Sequence, residues 1–497
     1  MRAEYSMLGP FNRFPDPDED LDGQDCVNLF LVSEEGAKKK FALLNTPGLE
    51  HVITIGIGPT VPTRNLFVFE DKMYAVFGSQ VYFFDSSLNP VFIGALLTDR
   101  GYISIANNNG GQIIFIDGIA GYIYTPLTGA FVQIVDPDFP EKPIDVAYLD
   151  TYFVIPSGES QTFQISANND GLSWNGFLDS AQIQTYPGIN RGVGVVNERL
   201  YFFKDTSTEI WWNPGDADFP LRKDTNLNFN YGCVTAASIV SEYGYLMWLS
   251  QDKSGPASVM MSTGYTPVRV STKAVEAQIA NLTNAADMDA WIYKDEGRIF
   301  YVMNWTTDDL TLVVDIEMAS RDPHLAWHRM AMLKKPPLEG DPNYSRTRHI
   351  GSCHAYFNGI HYIGSYKSPT LYSFDRLFAD NDGEIIPRIV IGKPFSTPEY
   401  NAFQINKIQL DIKPGIGNVT GDYTDPVVLL SISRDGGHIF GNALPGTIGK
   451  VGKFKTRCLW RKKGWVRTTY VPMLEIRATC APIIIMGDTM DINVLPK

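Results

Sequence analysis

The sequence has few cysteines and no spacing that would pair them. The five cysteines among its 497 residues are scattered and follow no CxxC pattern: Cys26, Cys233, Cys353, Cys458 and Cys480. An odd number of dispersed cysteines is typical of free thiols in a reducing compartment. We therefore expect synthesis in the cytoplasm.

Long apolar runs are missing as well. No stretch of about 20 apolar residues is available for a membrane span. The first residues, MRAEYSMLGPFNRF, lack the apolar core of a signal peptide. We expect a soluble protein without membrane insertion.

The common cofactor and nucleophile motifs do not occur. The pairs Gly56-x-Gly58 and Gly192-x-Gly194 lack the third glycine of a dinucleotide fingerprint, and the chain has neither a P-loop nor a GxSxG elbow. Carboxylates are plentiful, but the sequence does not show which of them meet in space. The sequence therefore gives no positive support for an enzyme and predicts no cofactor.

Two groups of residues have part of the chemistry of a metal site. The first group is His324, His328, Cys353, His354 and His361, and the second is Asp18, Asp20, Asp22 and Gly23. Zinc needs three or four converging ligands. The segment around His324 and His328, DPHLAWH, contains turn residues and a tryptophan that indicates packing. A calcium loop needs a bidentate Glu at its twelfth position, where this chain has Leu29. We expect no metal at either place.

Positive charge is scarce overall. The formal net charge is -13, whereas a protein that binds phosphates over its whole surface needs an excess of Lys and Arg. Composition thus argues against a general nucleic-acid binder.

The chain is built from a recurring hairpin. In GVVNERLYFFKDTSTEIWW, residues 194–212, short aromatic and β-branched runs alternate with polar turns, which predicts antiparallel strands. Equivalent hairpins are predicted at 73–84, 112–124, 151–165, 200–212, 245–261, 298–314 and 360–374. Their starts are roughly 40 to 60 residues apart, a period typical of a β-propeller. A sandwich or a solenoid fits this spacing less well.

The fold class is therefore all-β, with a β-propeller of six to eight blades and an additional C-terminal β-sandwich-like platform domain. We predict an N-terminal arm at 1–45 that contributes strands to the C-terminal domain, a propeller at 46–385 and the platform at 386–497. One short helix is predicted after Ser271-Thr272, because Val275, Ile279 and Leu282 share one helical face.

The strongest charge feature is a basic segment at residues 450–467, KVGKFKTRCLWRKKGWVR. It contains no acid and eight cations: Lys450, Lys453, Lys455, Arg457, Arg461, Lys462, Lys463 and Arg467. Basic residues interleaved with aromatic ones can grip nucleic acid. Two other interpretations stay open, a solvated strand pair with packed aromatics and a docking patch for an acidic neighbouring subunit. The acidity of the whole chain favours docking over DNA contact, and we take these residues as a candidate subunit interface.

With these segments in view, the chain resembles the packaged-DNA stabilisation proteins of short-tailed bacteriophages, also called tail hub or nozzle proteins. The similar segments occur in the same order at 26–49, 105–124, 133–140, 197–221, 268–276 and 433–460. Each alone is a weak motif, and their shared order is the specific signal. Residues 316–350 fit the resemblance poorly.

The resemblance implies a structural virion protein of the tail, without catalysis. It implies a homo-hexameric ring below the portal and adaptor proteins that continues the DNA channel and retains the packaged genome. The implied partners are the tail needle or tip, spike or fibre proteins, and double-stranded DNA in non-specific passage. On this basis, reversing the charge of Arg461, Lys462 and Lys463 is expected to block assembly while the monomer still folds.

Two other functions stay open from the sequence. A propeller-type glycosidase or lyase acting on bacterial surface polysaccharide would require paired carboxylates in a central pocket. A monomeric propeller scaffold for host proteins is the weaker option.

Overall fold

The computed structural model describes residues 2–5, 25–33, 41–216, 218–253, 255–334, 346–392, 394–397, 401–420, 424–435, 438–467, 469–477 and 483–494. Its secondary structure is almost entirely β-strand.

The strands are numbered in chain order. The N-terminal segment holds β1 (Arg2–Tyr5), β2 (Asp25–Val27), β3 (Leu29–Ser33), β4 (Phe41–Asn45) and β5 (Gly48–Thr54). Blade 1 holds β6 (Thr63–Phe69), β7 (Lys72–Phe77), β8 (Gln80–Phe84) and β9 (Pro90–Ala95). Blade 2 holds β10 (Ser104–Asn107), β11 (Ile113–Ile116), β12 (Gly121–Thr125) and β13 (Ala130–Gln133). Blade 3 holds β14 (Ala147–Leu149), β15 (Tyr152–Pro156), β16 (Thr162–Ala167), β17 (Asp170–Trp174) and β18 (Ser180–Gln182).

Three further blades and two helices follow. Blade 4 holds β19 (Asn190–Val196), β20 (Arg199–Lys204), β21 (Thr208–Trp212) and β22 (Arg222–Phe229). Blade 5 holds β23 (Val240–Glu242), β24 (Tyr245–Ser250), β25 (Ser258–Ser262) and β26 (Val268–Arg269), and helix α1 (Lys273–Ala280) comes after it. Blade 6 holds β27 (Met288–Asp295), β28 (Arg298–Trp305), β29 (Leu310–Asp315), helix α2 (Ile316–Arg321) and β30 (Trp327–Arg329).

The remaining strands complete blade 7 and the sandwich. A small pair, β31 (Met332–Leu333) and β32 (Arg346–Thr347), leads to the blade 7 strands β33 (Gly351–Phe357), β34 (Ile360–Ser365) and β35 (Thr370–Asp375). After β36 (Asp380–Asn381) and β37 (Glu384–Ile385) come β38 (Arg388–Ile391), β39 (Phe403–Ile412), β40 (Val427–Ser433), β41 (Leu444–Thr447), β42 (Cys458–Val466), β43 (Val471–Arg477) and β44 (Ile484–Val494).

Seven blades close into a ring. The first strand of each blade contacts the first strand of the next one, and β33 contacts β6 to complete the circle. All seven predicted hairpins are present, as the second and third strands of the seven blades. The predicted propeller is confirmed, and its blade count falls inside the expected range.

The blades are held together by apolar layers between neighbouring sheets. Seven separate clusters of buried side chains each join two adjacent blades. Because a blade is covered on both faces, the middle of its second strand is a continuous apolar run, as in blade 4, where Leu200 to Phe203 are all buried. Continuous apolar runs are typical of strands that are buried on both faces.

Blade 7 takes its outer strand from the beginning of the chain. β5 pairs antiparallel with β35 from Gly48 to Thr54. Gly48 is required at this position because a Cβ there would lie 2.5 Å from the carbonyl oxygen of Asp380. The propeller is thus closed by a segment about 320 residues distant in sequence.

The C-terminal strands form a β-sandwich with help from the N-terminal segment. One sheet has the order β3-β4-β44-β39-β42, with β1 also paired to β44. The facing sheet runs β2-β38-β43-β40-β41 and is continuous with blade 6, because β2 also pairs with β30. Side chains from both sheets form one buried core that includes Leu31, Ile405 and Leu474.

The predicted short helix is confirmed as α1. The side chain of its N-cap residue, Thr272, accepts a hydrogen bond from the Val275 amide. Helix α2 was not predicted. It has only six residues and is capped by Asp315, which accepts a bond from the Met318 amide.

Candidate functional site

The basic segment lies at the outer edge of the sandwich. Lys450, Lys453, Lys455 and Arg457 are on the loop that joins β41 to β42, and we call these four residues the basic loop. Arg461, Lys462 and Lys463 are on β42, and Arg467 follows it. All eight are exposed except Lys463, which is half-buried. The structure therefore brings the predicted residues onto one accessible edge.

The backbone around the basic loop is ordered by hydrogen bonds and by glycines. The Lys453 amide donates to the Lys450 carbonyl at 3.0 Å, and the Gly452 amide donates to the Gly415 carbonyl at 3.3 Å. Gly449 has a φ of +94°, and a Cβ there would lie 2.4 Å from Thr456 Oγ1. The loop therefore presents its cations on a preorganised backbone.

The three aromatic side chains of this segment have different environments. Trp460 is buried, with its indole N–H donating to the Leu444 carbonyl at 2.9 Å. Phe454 is 70% exposed and Trp465 is 49% exposed. Only Trp460 fits the interpretation of a packed strand pair, whereas Phe454 leaves an apolar ring accessible among the cations of the basic loop.

Strand β42 is the edge strand of its sheet. Its pairing with β39 shifts register between Ile405 and Lys407, where Lys462 has a φ of +52°. A bulge and exposed lysines are the features that natural proteins use to keep an edge from pairing with another strand. Besides any role in docking, Arg461, Lys462 and Lys463 can thus keep this edge from pairing with another strand.

The eight cations have no partner of opposite charge within the part of the chain that the structure describes. No ion pair joins any of them to a described carboxylate. Their charge is therefore not neutralised by an ion pair with any described residue.

A second charged surface, which was not predicted from the sequence, surrounds the propeller axis. The turns that join first to second strands all emerge on one face of a propeller. We call the five carboxylates on these turns the acidic rim: Glu70, Asp71, Asp150, Glu198 and Glu296. All five are exposed, and none of the seven turns, which all lie within the described residues, contains Lys or Arg.

Tight hairpin turns explain how these residues are presented. Glu70, Asp150, Glu198 and Glu296 have φ values between +45° and +60°, the left-handed conformation that two-residue hairpin turns require. Most such turns use Asn or Gly. A carboxylate in a two-residue hairpin turn is therefore the feature of the sequence from which the acidic rim could have been predicted.

The axis itself holds a cavity of about 580 Å³ lined by the first strands of all seven blades. Asp145 and Glu242 both line it, which is the kind of pair that a glycosidase needs. Burial raises the pKa of Asp145 to about 6, and the surrounding protein raises the pKa of Glu242 to about 7.

The surroundings of Asp145 indicate a structural role. Its carboxylate accepts hydrogen bonds from Ser104 Oγ at 2.6 Å, from the Val146 amide at 2.9 Å and from the Val193 amide at 3.0 Å. These donors belong to blades 2, 3 and 4 or to the residues that enter them. The Tyr102 hydroxyl is a fourth donor, at 3.4 Å. Because a carboxylate has about four lone-pair sites, the Asp145 carboxylate is occupied by donors that join the blades together.

The histidine and cysteine group is dispersed. His354 Nε2 and His361 Nδ1 are 2.8 Å apart, while His324 is exposed and His328 is buried on β30. Burial lowers the pKa of His328 to about 3 and raises the pKa of Cys353 to about 12. Within the described ranges, no three His, Cys, Asp or Glu side chains are placed to hold a metal ion.

The acidic lead-in at 16–25 lies outside the described residues, apart from Asp25, which pairs with Arg329 at 3.3 Å. The calcium-like residues Asp18, Asp20, Asp22 and Gly23 are among those outside. Of the helices in the described part, none has the length and apolar character needed to cross a membrane.

A seven-bladed propeller continuous with a β-sandwich, with an acidic surface on one propeller face and a basic segment at an edge of the sandwich, defines a large all-β protein. Comparison with protein families identifies the family to which this protein belongs. Residues 17–378 match the family described as bacteriophage P22 Gp10, beta-propeller, and residues 388–484 match bacteriophage P22 Gp10, beta-sandwich. The chain belongs to this family, the packaged-DNA stabilisation or tail hub proteins of short-tailed phages. It is therefore a phage structural protein of the virion tail type.

Other comparisons give little more. A search of curated proteins found no match. Among solved structures, a streptogramin B lyase is similar at 10% identity over 66% of this chain and 98% of that chain, with a TM-score of 0.42. The virginiamycin B lyase of Staphylococcus aureus (8%, 66% and 99%, 0.42) and the N-terminal domain of Nup159 (10%, 70% and 98%, 0.40) are similar at the same level. Membership in a family of phage structural proteins supports a structural role rather than a catalytic one.

Proposed function

We propose that six copies of this chain form the tail hub, a ring that continues the channel of the portal and adaptor proteins and retains the packaged genome. The observation that carries the proposal is the family match over both domains in chain order. The partners in this proposal are the adaptor above the ring, and the tail needle or tip and the spike or fibre proteins that dock on it. The chain is made in the host cytoplasm and functions in the virion.

Electrostatics supports passage of DNA without binding. Six copies of a chain with a charge of -13 carry about -78 in total, and duplex DNA carries one negative charge per ~1.7 Å of axis. A ring with an acidic lumen repels the backbone, so that the genome slides without adhering. Double-stranded DNA is therefore a transient passenger rather than a ligand.

The basic segment serves in this proposal as a contact between subunits. A closed ring requires heterologous contacts, in which a surface on one copy meets a different surface on the next. Cations without an ion-pair partner in the described part of the chain supply one side of such a contact. The predicted reversal of Arg461, Lys462 and Lys463 tests it separately.

The test of the hub is a nonsense mutation in this gene within its phage, scored by electron microscopy and by the DNA content of the heads. We expect heads that package DNA, lose it and lack the distal tail. A nonsense mutation in a late gene for a dispensable virion protein is the matched control. Heads that keep their DNA and carry complete tails would refute the hub, and turnover of host surface polysaccharide by the purified chain would then support the lyase alternative.

A further inference from the structure

The basic loop lies on the side of the sandwich that is farthest from its own propeller. In one sheet four strand spacings separate β42 from β3, which contacts β30 of blade 6. In the facing sheet four spacings separate β41 from β2. At about 4.8 Å per spacing, the loop lies about 19 Å beyond the strands that join the propeller. Within the described residues, the basic loop is therefore too far from its own propeller to contact it, which leaves it free to contact another molecule.

The composition of the chain makes a second copy a suitable partner. The whole chain carries -13 and residues 450–467 carry +8, so the other 479 residues carry -21. A ring of identical subunits thus offers every basic segment a strongly acidic neighbour. Opposite potentials on two surfaces direct their encounter and fix their orientation.

Among the described residues, the acidic rim is the surface that fits. Three cations directly follow its turns. Arg199 pairs with Asp224 at 3.2 Å and Arg298 pairs with Asp315 at 2.6 Å, both inside their own blades. The third, Lys72, lies over the Phe83 ring of its own blade, with its Nζ 4.7 Å from the ring centroid. Within the rim, Glu296 is paired with Arg376. Most of the negative charge of the rim is therefore not neutralised by neighbouring cations.

The two surfaces also match in their apolar content. Phe454 is exposed among the cations of the basic loop, and Tyr243, 43% exposed, is on the blade 5 turn within the ring of rim turns. Exposed aromatic rings surrounded by charge are typical anchors of protein interfaces. A contact between the aromatic side chains of Phe454 and Tyr243 would exclude water from the ion pairs around it.

We propose that the basic loop of one copy docks on the acidic rim of the next copy in the ring. The inference rests on the proposed hub and adds the identity of the two surfaces. The contact is heterologous, so every subunit uses its loop on one side and its rim on the other. Duplex DNA is the competing occupant of the basic loop.

A charge-swapped pair of variants tests this contact. The first variant is Lys453→Glu with Lys455→Glu, and the second is Glu70→Lys with Glu198→Lys. Alone, each variant sets like charges against each other at the substituted positions of every contact and is expected to lose the ring. Mixed in equal amounts, the substituted positions of each variant face residues of opposite charge on the other variant, and an alternating ring is expected to form.

Assembly is measured by analytical ultracentrifugation and electron microscopy, and circular dichroism verifies the fold of each variant. Lys253→Glu with Lys273→Glu is the matched control, since it makes the same charge change at exposed lysines on the opposite propeller face. This control is expected to assemble as the wild type does. If the wild-type chain is monomeric in solution, plaque formation by the nonsense phage is scored with each variant alone and with both co-expressed, and only co-expression is expected to rescue it.

The outcomes separate this inference from the hub itself. If the wild-type chain supports rings or plaques and the mixed variants do not, the contact between loop and rim is refuted while the hub stands. Rings formed by either variant alone refute the contact as well. If the loop variant assembles normally but no longer binds a short DNA duplex that the wild type binds, the loop is a DNA contact. If the nonsense phage makes stable, complete particles, the hub fails.

Discussion

Asp145 offers a quantitative test of how the blades are joined at the axis. Burial raises the pKa of its carboxyl group to about 6 from 3.8, despite the donors that reach it from three blades. A raised pKa means that the folded state binds the proton more tightly than the unfolded state. The resulting stabilisation is fully present below about pH 4 and is lost as the pH rises through about 6. Two pKa units correspond to about 3 kcal/mol.

The substitution Asp145→Asn isolates this effect because an amide does not titrate. We expect the free energy of unfolding of the wild type, minus that of the variant, to fall by about 2.4 kcal/mol between pH 4 and pH 7.5, because at pH 4 the carboxyl group of the unfolded chain is already partly ionised. Equilibrium urea unfolding at several pH values measures it, since other titrating groups cancel in the difference. Asp150→Asn, which removes an exposed carboxyl group from the same blade, is the matched control.

The opposite pH trend would refute the reasoning. A difference that rises with pH would mean that the Ser104, Val146 and Val193 donors stabilise the carboxylate by more than burial destabilises it. A difference independent of pH would mean that the two effects cancel.

Two further substitutions test other contacts. Arg64 donates all five of its N–H groups to oxygen atoms of blade 1 and of the connection to blade 2. Because lysine has only three donors on one nitrogen, Arg64→Lys should lower the free energy of unfolding by about 2 to 4 kcal/mol in urea titrations, and an unchanged midpoint would contradict this. Gly48→Ala places a Cβ against a backbone carbonyl and should destabilise the closure of blade 7 by about 1 to 3 kcal/mol. Gly56→Ala, with open space around its Cβ, is the control, and equal melting temperatures for the two variants would show that the closure tolerates the methyl group.

The hairpins were predictable because their determinants are local. Each consists of an apolar run, a polar turn and a second run within about fifteen residues, and the period of these units indicates the architecture. The same locality allowed α1 to be predicted from its cap and its apolar face. The shared order of weak motifs then identified the family, which the comparisons confirm.

The missed features depend on contacts between distant residues. Nothing in the sequence around Gly48 shows that β5 pairs with β35. The acidic rim is a set of residues that are isolated in sequence and become neighbours only when the blades close. Asp145 resembles any other Asp before a strand until its hydrogen-bond donors are in place. The role of the basic segment in assembly stays a prediction.

The route of the chain through the sandwich has a consequence for folding. β4 pairs with β44, with Leu43 opposite Ile485 and Leu44 opposite Ile484. A strand that is synthesised early therefore cannot pair until β44 has been synthesised. Pairing across so many residues requires a large loop to close, which makes this step slow. The blades can form one after another during synthesis, whereas the sheet that carries the basic segment forms only after β44 has been made. A product truncated before β44 therefore lacks the strand that joins β4 to β39, and the basic segment is left without its complete sheet.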